Sequence, residues 1–260
     1  MIYSSGEKID LIVYTCVTGN YDWVFSPIWK LEGVKYICFT DNPKLKDPVW
    51  DFRALPKECQ GFDNSAANRF CKFFPWKVLP PHTWSIYMDA NVRLLSDPRP
   101  LIELMEKGTN IAIPMHPSRS DPWQEALACI KLKKIQGEAI CVLESQLKRY
   151  EQNGLKRNCG LTENNVIIRS GNELLLSNTM QLWWVELMSG VMRDQISLPY
   201  VLFKSDTNIF RIPFSTREEN PYFRITPHRR KWSLERYVKA RRFQPGLAQK
   251  ILNFVFRKNK

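Results

Sequence analysis

The chain of 260 residues is long enough to bury one large core, or one core plus a small appendage. Its content of 44% hydrophobic and 12% aromatic residues is typical of a globular protein, and no run approaches the roughly 18 apolar residues of a membrane span. Seven cysteines without a Cys-x-x-Cys pair disfavour a zinc site or a disulfide framework and favour a reducing compartment. The N-terminal residues lack the pattern of a secretory signal peptide.

The net charge of +12 is concentrated at the C-terminus. Residues 228–260 carry eleven Lys or Arg and a single acid, Glu235, whereas the first 227 residues are nearly neutral at +2. Eight apolar side chains are spaced among these cations, namely Leu234, Tyr237, Val238, Phe243, Leu247, Ile251, Leu252 and Phe254. The pattern predicts amphipathic helix that either lies on an anionic membrane surface or packs, solvated, on the body of the protein. Nucleic-acid binding is not expected, because no recognition motif accompanies the charge.

The hydrophobic pattern predicts alternating strands and helices in chain order. We predict strands over 10–18, 35–40, 86–89, 110–115 and 166–169, and a further apolar segment over 194–203. We predict helices over 64–74, from Pro98 to about Lys107, over 124–153 and over 174–193, with Pro75 ending or bending the first. Polar turns follow the first two strands. This order indicates a Rossmann-like sheet whose ligand-binding groups gather at one edge.

The strand at Ile86 ends at Asp89, and Asn91 follows one residue later. A carboxylate and an amide just outside the carboxyl end of a buried strand can offer hard oxygen ligands to Mg²⁺ or Mn²⁺, with phosphate oxygens completing the shell. The alternative is a strand-to-turn pair whose side chains bond nearby backbone. The tripeptide alone leaves both interpretations open.

Seven motifs, in one order from residue 13 to residue 202, resemble nucleotide-sugar-dependent glycosyltransferases of the GT-A fold. They are VYTCVTGNYD (13–22), CFTDNP (38–43), NRFCKFFPWKVLP (68–80), IYMDANVRL (86–94), HPSR (116–119), TENNVIIR (162–169) and RDQISLPYVL (193–202). More specifically, the chain resembles the bacterial and plant glycosyltransferase-like family that includes plant mucilage enzymes. A looser similarity to glycosyltransferase family 8 is present, and it favours retention of the anomeric configuration.

The resemblance implies an α/β fold with a GT-A-like, mixed and mostly parallel central sheet flanked by helices, over residues 1–227, and a basic helical extension over 228–260. It also implies transfer of a sugar from a nucleoside diphosphate to a glycan or lipid-linked acceptor, assisted by Mn²⁺ or Mg²⁺. Such a protein would serve surface polysaccharide or glycoconjugate synthesis in the cytoplasm, peripheral to the inner face of a membrane.

The resemblance also implies a set of site residues, because the transfer builds negative charge on the leaving phosphate and positive charge on the sugar. Donor binding is assigned to Thr15, Gly19, Asn20, Tyr21, Asp41, Arg69, Lys72 and Asp89. The first five could equally serve turn chemistry, and Arg69 and Lys72 could be surface cations. The metal is assigned to Asp89, more weakly to Asn91, and to His228 at altered spacing; Asn91 departs from the stricter Asp-x-Asp pattern and leaves a metal-independent site open.

Catalysis is assigned, by the same resemblance, to Asp194 and Gln195, with Asp194 orienting the acceptor or acting as a base. Contacts with acceptor or sugar are assigned to His116, Arg119, Glu163, Asn164 and Asn165. His116 could instead be a structural histidine.

Three other classes of protein are alternatives to a glycosyltransferase. A sugar nucleotidyltransferase would share the sheet, but its glycine-rich phosphate loop is missing after the first strand, where only Gly19 appears. A glycoside hydrolase needs two opposed carboxylates, and the predicted fold does not suggest such a pair. A non-catalytic membrane-surface or glycan-binding protein would use the basic tail and keep a degenerate cleft.

Overall fold

The computed structural model describes residues 9–105 and 109–229. Nine strands are present in these ranges: β1 Ile9–Val17, β2 Val34–Thr40, β3 Asp51–Ala54, β4 His82–Met88, β5 Val92–Leu94, β6 Ile111–Pro114, β7 Val166–Ser170, β8 Phe210–Ile212 and β9 Phe223–Ile225. Seven α-helices accompany them there: α1 Asn64–Phe73, α2 Pro75–Val78, α3 Arg99–Glu103, α4 Pro122–Lys131, α5 Ala139–Gln152, α6 Glu173–Ser189 and α7 Asp194–Ser205.

The central sheet has seven strands in the order β3-β2-β1-β4-β7-β6-β8. All of its strands run parallel except β7, which is antiparallel to both of its neighbours. The predicted mixed, mostly parallel α/β sheet is therefore confirmed. The carboxyl ends of β1, β2, β4 and β6 lie along one edge, and this edge is where a sheet of this kind binds ligands.

Alternating residues of β1 enter two separate cores. Ile12 and Tyr14 join the core on the face that carries α1, α6 and α7, while Leu11 and Val13 join the core on the opposite face, which includes β5, α3 and β9. The strand is buried on both faces because the sheet is covered on both faces. A third core cluster lies among α4, α5 and α7.

The predicted strands and the first helix agree with the structure, apart from their ends. The α1 helix begins after the N-cap Asp63, whose Oδ1 accepts from the Ala66 amide at 2.7 Å. Pro75 occupies the first turn of α2 rather than the interior of α1. The helix predicted from Pro98 to about Lys107 is shorter than predicted, because α3 begins at Arg99 and ends at Glu103, with Leu104 as its C-cap.

The prediction of one long helix was wrong. The single helix over 124–153 is two helices, α4 and α5, separated by residues in which Lys133 and Gly137 have φ of 54° and 58°. A left-handed backbone at these positions cannot continue an α-helix. The apolar segment over 194–203, to which the sequence assigned neither helix nor strand, is the helix α7, with Pro199 inside it.

A small two-stranded sheet of β5 and β9 lies beside the edge where ligands would bind. Val92 pairs with Ile225, so the chain that follows β9 begins next to Asn91. The extension predicted over 228–260 is described only at His228 and Arg229; the rest lies outside the described residues. The division of the chain at residue 227 stays a prediction.

Candidate functional site

Asp89 follows β4 directly and is fixed by its backbone. Its amide donates to the Asn165 carbonyl at 2.8 Å, and its carbonyl accepts from the Val92 amide at 2.8 Å. The side chain of Asp89 is 35% exposed. The carboxylate is thus held at the sheet edge and remains accessible to a ligand.

Three further residues from distant parts of the chain lie close to Asp89. The Nζ of Lys72, on α1, is 2.5 Å from Oδ2 of Asp194, at the start of α7, and 3.9 Å from Oδ1 of Asp89. The Nε of Arg69 is 3.5 Å from the same oxygen of Asp194. The side chain of Lys72 is only 1% exposed, so the interpretation of Lys72 as a surface cation was wrong.

This group of Arg69, Lys72, Asp89 and Asp194 holds two cations against two carboxylates, and we call it the charge cluster. Burial alone would raise the pKa of Asp194, but Lys72 and Arg69 together hold it below its ordinary value. Burial alone would lower the pKa of Arg69, and Asp194 and Asp89 raise it overall. At neutral pH Asp194 is therefore an ionised carboxylate and a weak base.

The predicted donor-binding residues after β1 and β2 come together in the structure. The amide of Gly19 donates to Oδ2 of Asp41 at 2.8 Å, and Oδ1 of Asn20 accepts from the Asn42 side chain at 2.6 Å. Tyr21 is 54% exposed. Thr15, within β1, is buried, and its hydroxyl has no hydrogen-bond partner among the described residues.

The segment after β9 connects this loop to the turn at Asn91. Asn91 is buried; its Nδ2 donates to the Thr226 carbonyl at 2.9 Å, and its carbonyl accepts from the Thr226 amide at 2.7 Å. Two residues later, Nδ1 of His228 lies 2.9 Å from Oδ2 of Asp22, and the His228 ring is 5.2 Å from that of Tyr21. The late histidine is thus placed between the ends of β1 and β4.

The predicted acceptor residues lie around β6 and β7. The amide of His116 donates to the Leu161 carbonyl at 2.9 Å, and Gln195 Nε2 donates to the Thr162 carbonyl at 3.4 Å. Asn164 has a φ of 61° and is fully buried, and its Nδ2 has no hydrogen-bond partner among the described residues. A strained backbone beside an unpaired buried donor is typical of a ligand site.

Glu163 is engaged inside the protein rather than open to a ligand. Its Oε2 accepts from the amide and hydroxyl of Thr216 at 2.6 and 2.7 Å, and its Oε1 lies 2.7 Å from Nε of Arg217. Asn165 donates to the Thr216 hydroxyl at 2.6 Å. Glu163 therefore fixes the loop that carries Arg217.

The sequence prediction missed several residues of the site. Asp22 was part of a quoted motif but was given no role, although it holds His228 and the Arg229 amide. Asn68 bonds the Cys16 carbonyl and the Arg69 side chain, both at 2.6 Å. Asp22 and Asn68 could have been found as polar residues within the motifs, whereas no pattern in the sequence singles out Thr216 or Arg217.

The residues near Asp89 offer few ligands to a divalent cation. Within 9–105 and 109–229, no group of three or more His, Cys, Asp or Glu side chains is arranged to hold a metal. Nδ2 of Asn91 donates to the Thr226 carbonyl, which leaves Oδ1 as the amide atom that could face a cation, and the ammonium of Lys72 lies 3.9 Å from the Asp89 carboxylate. The protein donors alone do not fit a resident metal; Asp89 could serve only a cation that brings most of its ligands with it.

The fold is that of a glycosyltransferase-like protein. The chain belongs to the family described as "TOD1/MUCI70, glycosyltransferase-like domain", whose model matches residues 50–225. The match includes the charge cluster and the predicted acceptor residues. The looser similarity to glycosyltransferase family 8 stays a prediction.

Individual proteins that are similar to this chain share less than a third of its aligned residues. The chain is 28% identical over 174 residues to a protein of Arabidopsis thaliana named alkaline ceramidase TOD1, an alignment that covers 58% of this chain. The chain spans only 37% of the length of that relative. Two solved structures are similar with TM-scores of 0.46: the apo bifunctional glycosyltransferase WbbM, 9% identical over 82% of this chain and 40% of that chain, and apo mouse xyloside xylosyltransferase 1, 11% identical over 79% and 85%.

Proposed function

We propose that the protein transfers a sugar from a nucleoside diphosphate donor to a glycan or lipid-linked saccharide acceptor. The observation that carries the proposal is the charge cluster at the carboxyl edge of the sheet. It joins α1, the end of β4 and the start of α7. Removing charges from water costs free energy that their mutual attraction often only offsets, so burial of the charge cluster is weak evidence for a role in stability. Buried, paired charges in such a place are characteristic of a site that handles a charged substrate.

In this proposal the ends of β1 and β2 hold the base and ribose. The exposed ring of Tyr21 offers a stacking surface, and Asp41, already bonded to Gly19, accepts hydroxyl hydrogens. Thr15, buried without a partner, offers a hydroxyl at the same edge. The donor would thus lie across the ends of β1, β2 and β4.

Arg69 and Lys72 would face the diphosphate and the transferred sugar. Negative charge develops on the leaving phosphate, and a fixed cation in a site of low dielectric lowers the energy of that state. Asp194 keeps Lys72 and Arg69 in position, and its low pKa suits this orienting role better than the role of a base. Gln195 would contact the sugar beside it.

Asp89 would hold a Mn²⁺ or Mg²⁺ ion carried by the diphosphate, and such an ion would supply positive charge against the phosphates. Asn91 and His228 would support this region through Thr226 and Asp22. We propose a peripheral, cytoplasmic protein. No helix in the described ranges is long and apolar enough to cross a bilayer.

The test is calorimetric titration of the full chain with a panel of nucleoside diphosphates and their sugars, with and without Mn²⁺. We expect at least one nucleotide to bind, and Asp89→Ala to weaken binding by tenfold or more, as expected for loss of a charged contact. Asp10→Ala is the matched control, because Asp10 is an exposed aspartate at the opposite end of β1.

Absence of binding to every nucleotide would overturn the proposal and favour a non-catalytic membrane-surface or glycan-binding protein. Formation of a sugar nucleotide from a nucleoside triphosphate and a sugar phosphate would favour a sugar nucleotidyltransferase. Release of fatty acid from ceramide, the activity suggested by the name of the Arabidopsis relative, would move the assignment to a hydrolase.

A further inference from the structure

A second group of charged residues lies on the β6 and β7 side of the site. Arg119 follows His116 by three residues at the end of β6, and its Nε is 2.5 Å from Oε2 of Glu125. Arg217 is held by Glu163 at 2.7 Å. Arg193, next to Asp194, donates from Nη2 to the Lys134 carbonyl at 3.3 Å. We call His116, Arg119, Lys134, Arg193 and Arg217 the basic group.

The cations of the basic group are more exposed than the carboxylates that accompany them. The side chains of Arg119 and Arg217 are 22% and 45% exposed, whereas those of Glu125 and Glu163 are 2% and 0% exposed. Four cations accompany the buried carboxylates of Glu125 and Glu163, and two further buried carboxylates lie nearby: Asp121, which caps α4, and Asp194, which also faces Lys72. An anion arriving from solvent would therefore meet arginine and lysine before it met a carboxylate.

His116 adds a hydrogen-bond donor to the basic group. Its Nδ1 accepts from the amides of Ser118 and Arg119 at 3.2 and 3.0 Å. The pKa of His116 is lowered to about 4 by burial and by Arg119, Arg217 and Lys134, so the ring is neutral near pH 7. With Nδ1 accepting, the proton of the neutral ring is on Nε2.

Nε2 of His116 lies 2.6 Å from Nη2 of Arg119. Both atoms then carry hydrogens, and two donors cannot satisfy each other. A negatively charged oxygen beside them would accept from both. Nδ2 of Asn164 is a further buried donor, without a hydrogen-bond partner among the described residues. It lies in the segment before β7, where the Thr162 hydroxyl donates to Oδ1 of Asn164 and Met115 forms an antiparallel β-bridge with Thr162.

The basic group is continuous with the proposed site of transfer. Arg193 directly precedes Asp194, Gln195 bonds the Thr162 carbonyl, and Asn165 bonds the Asp89 amide. The donor would occupy the ends of β1, β2 and β4, so the basic group lies on the side left for the acceptor.

We propose that the basic group recognises an anionic group on the acceptor, which is an acidic saccharide bearing a carboxylate or a phosphate. The inference rests on the proposed function, because it takes the second substrate of that reaction as the ligand. Arg119 and Arg217 offer the planar pairs of donors that carboxylates and phosphates match.

The experiment titrates the full chain with glucose, glucuronic acid and glucose 6-phosphate, which differ in the charged group on one ring. We expect glucose to bind most weakly, and the better of the two acidic sugars to identify a carboxylate or a phosphate as the ligand. Arg217→Gln should weaken that binding by about tenfold, the loss expected when a charge-assisted hydrogen bond is removed.

Arg217→Gln leaves Glu163 buried without its cation and could unfold the loop, so Lys134→Gln, at an exposed position, provides a second variant. It should weaken binding of the acidic sugar in the same direction. Arg149→Gln is the control, because Arg149 forms a similar 2.5 Å ion pair with Glu186 on α5 and α6 and should bind as the wild type does.

Three results would overturn the proposal. They are glucose that binds as tightly as both acidic sugars, no binding of either acidic sugar, and unchanged binding of the acidic sugar in both variants. Titration of the wild type with nucleotides separates the two ideas. If nucleotides bind and acidic sugars do not, only the acceptor inference fails. If acidic sugars bind through Arg217 and Lys134 but no nucleotide binds, the transferase proposal fails and the anion site stands.

Discussion

Lys72 has the clearest structural role of any single residue in the site. It is a lysine with a buried ammonium, which occurs only where opposite charge and hydrogen bonds replace water. Asp194 supplies both, and Asp89 adds a second carboxylate at 3.9 Å. The sequence placed Arg69 and Lys72 on one helical face, three residues apart. It could not show that α7 begins at this face, because that contact joins residues 122 positions apart.

His116 gives a prediction for the dependence of stability on pH. Its pKa falls from 6.5 in the unfolded chain to about 4 in the fold, so the unfolded state binds more protons between these values. Stability is then complete above about pH 6.5 and decreases as the pH falls to 4, by roughly 3 kcal/mol at most. Urea unfolding at pH 7 and pH 4.5 should show this decrease in the wild type and a smaller one in His116→Gln.

Carboxylates titrate in both the wild type and His116→Gln, so the difference between their losses of stability reports on His116. An equal loss of stability in His116→Gln and in the wild type would show that His116 does not titrate as the structure requires. It would also remove the argument that its Nε2 carries the proton at neutral pH.

At the level of elements, the apolar strands β1, β2, β4, β6 and β7 could be predicted, and the short strands β3, β5, β8 and β9 could not. β1, β2 and β4 are apolar runs followed at once by polar turns, so their carboxyl ends locate Gly19, Asp41 and Asp89 directly. β3, β5, β8 and β9 have only three or four residues, too few to show a periodicity. Without β9 the sequence could not place Thr226 beside Asn91, or His228 beside Asp22.

The wrong prediction of one long helix over 124–153 has a local cause. The pattern of residues 124–153 is helical on both sides of the break, and Gly137 is the one strong turn signal between α4 and α5. The segment over 194–203, which the sequence left without an assigned element, carries Pro199, and a proline inside a helix removes the bond to the carbonyl four residues earlier. Burial of Ile196, Leu198 and Val201 offsets that loss.

Gly171, between β7 and α6, yields a prediction about how these elements pack. A Cβ at this position would lie 2.1 Å from the carbonyl oxygen of His82, at the start of β4. The Gly171 amide also donates to the Thr83 carbonyl at 2.7 Å. Gly171→Ala should therefore push the strand away and cost about 2 kcal/mol or more, measured by urea unfolding.

Gly137→Ala is the matched control for this variant. Gly137 has a φ of 58°, but nothing lies within 4 Å of an added Cβ, so only the left-handed backbone is penalised, by about 1 kcal/mol. A smaller loss of unfolding free energy in Gly171→Ala than in Gly137→Ala would contradict this prediction. It would mean that β4 and the end of β7 can move apart at little cost.

At the scale of the whole molecule, charge is distributed in three ways. The charge cluster is balanced, the basic group has an excess of cations, and the segment that begins at His228 is strongly basic. Thr226, His228 and Arg229 attach the beginning of that segment across the ends of β4 and β1, and Arg229 lies 4.3 Å from the ring of Trp23. The basic segment therefore leaves the described fold at the edge where the donor is proposed to bind.

Deletion of residues 230–260 tests whether this segment attaches the protein to a membrane. These residues carry ten Lys or Arg and one acid, and each cation near an anionic surface contributes about 1 kcal/mol. We expect the full chain to sediment with phosphatidylserine vesicles at low salt and to be released by high salt. The chain ending at Arg229 should stay in the supernatant and keep its affinity for the nucleotide, because the charge cluster and the ends of β1 and β2 are intact.

Vesicles of phosphatidylcholine alone are the control. If the shortened chain still sediments, a surface of the folded body carries the attachment; if it loses the nucleotide as well, the segment belongs to the donor site.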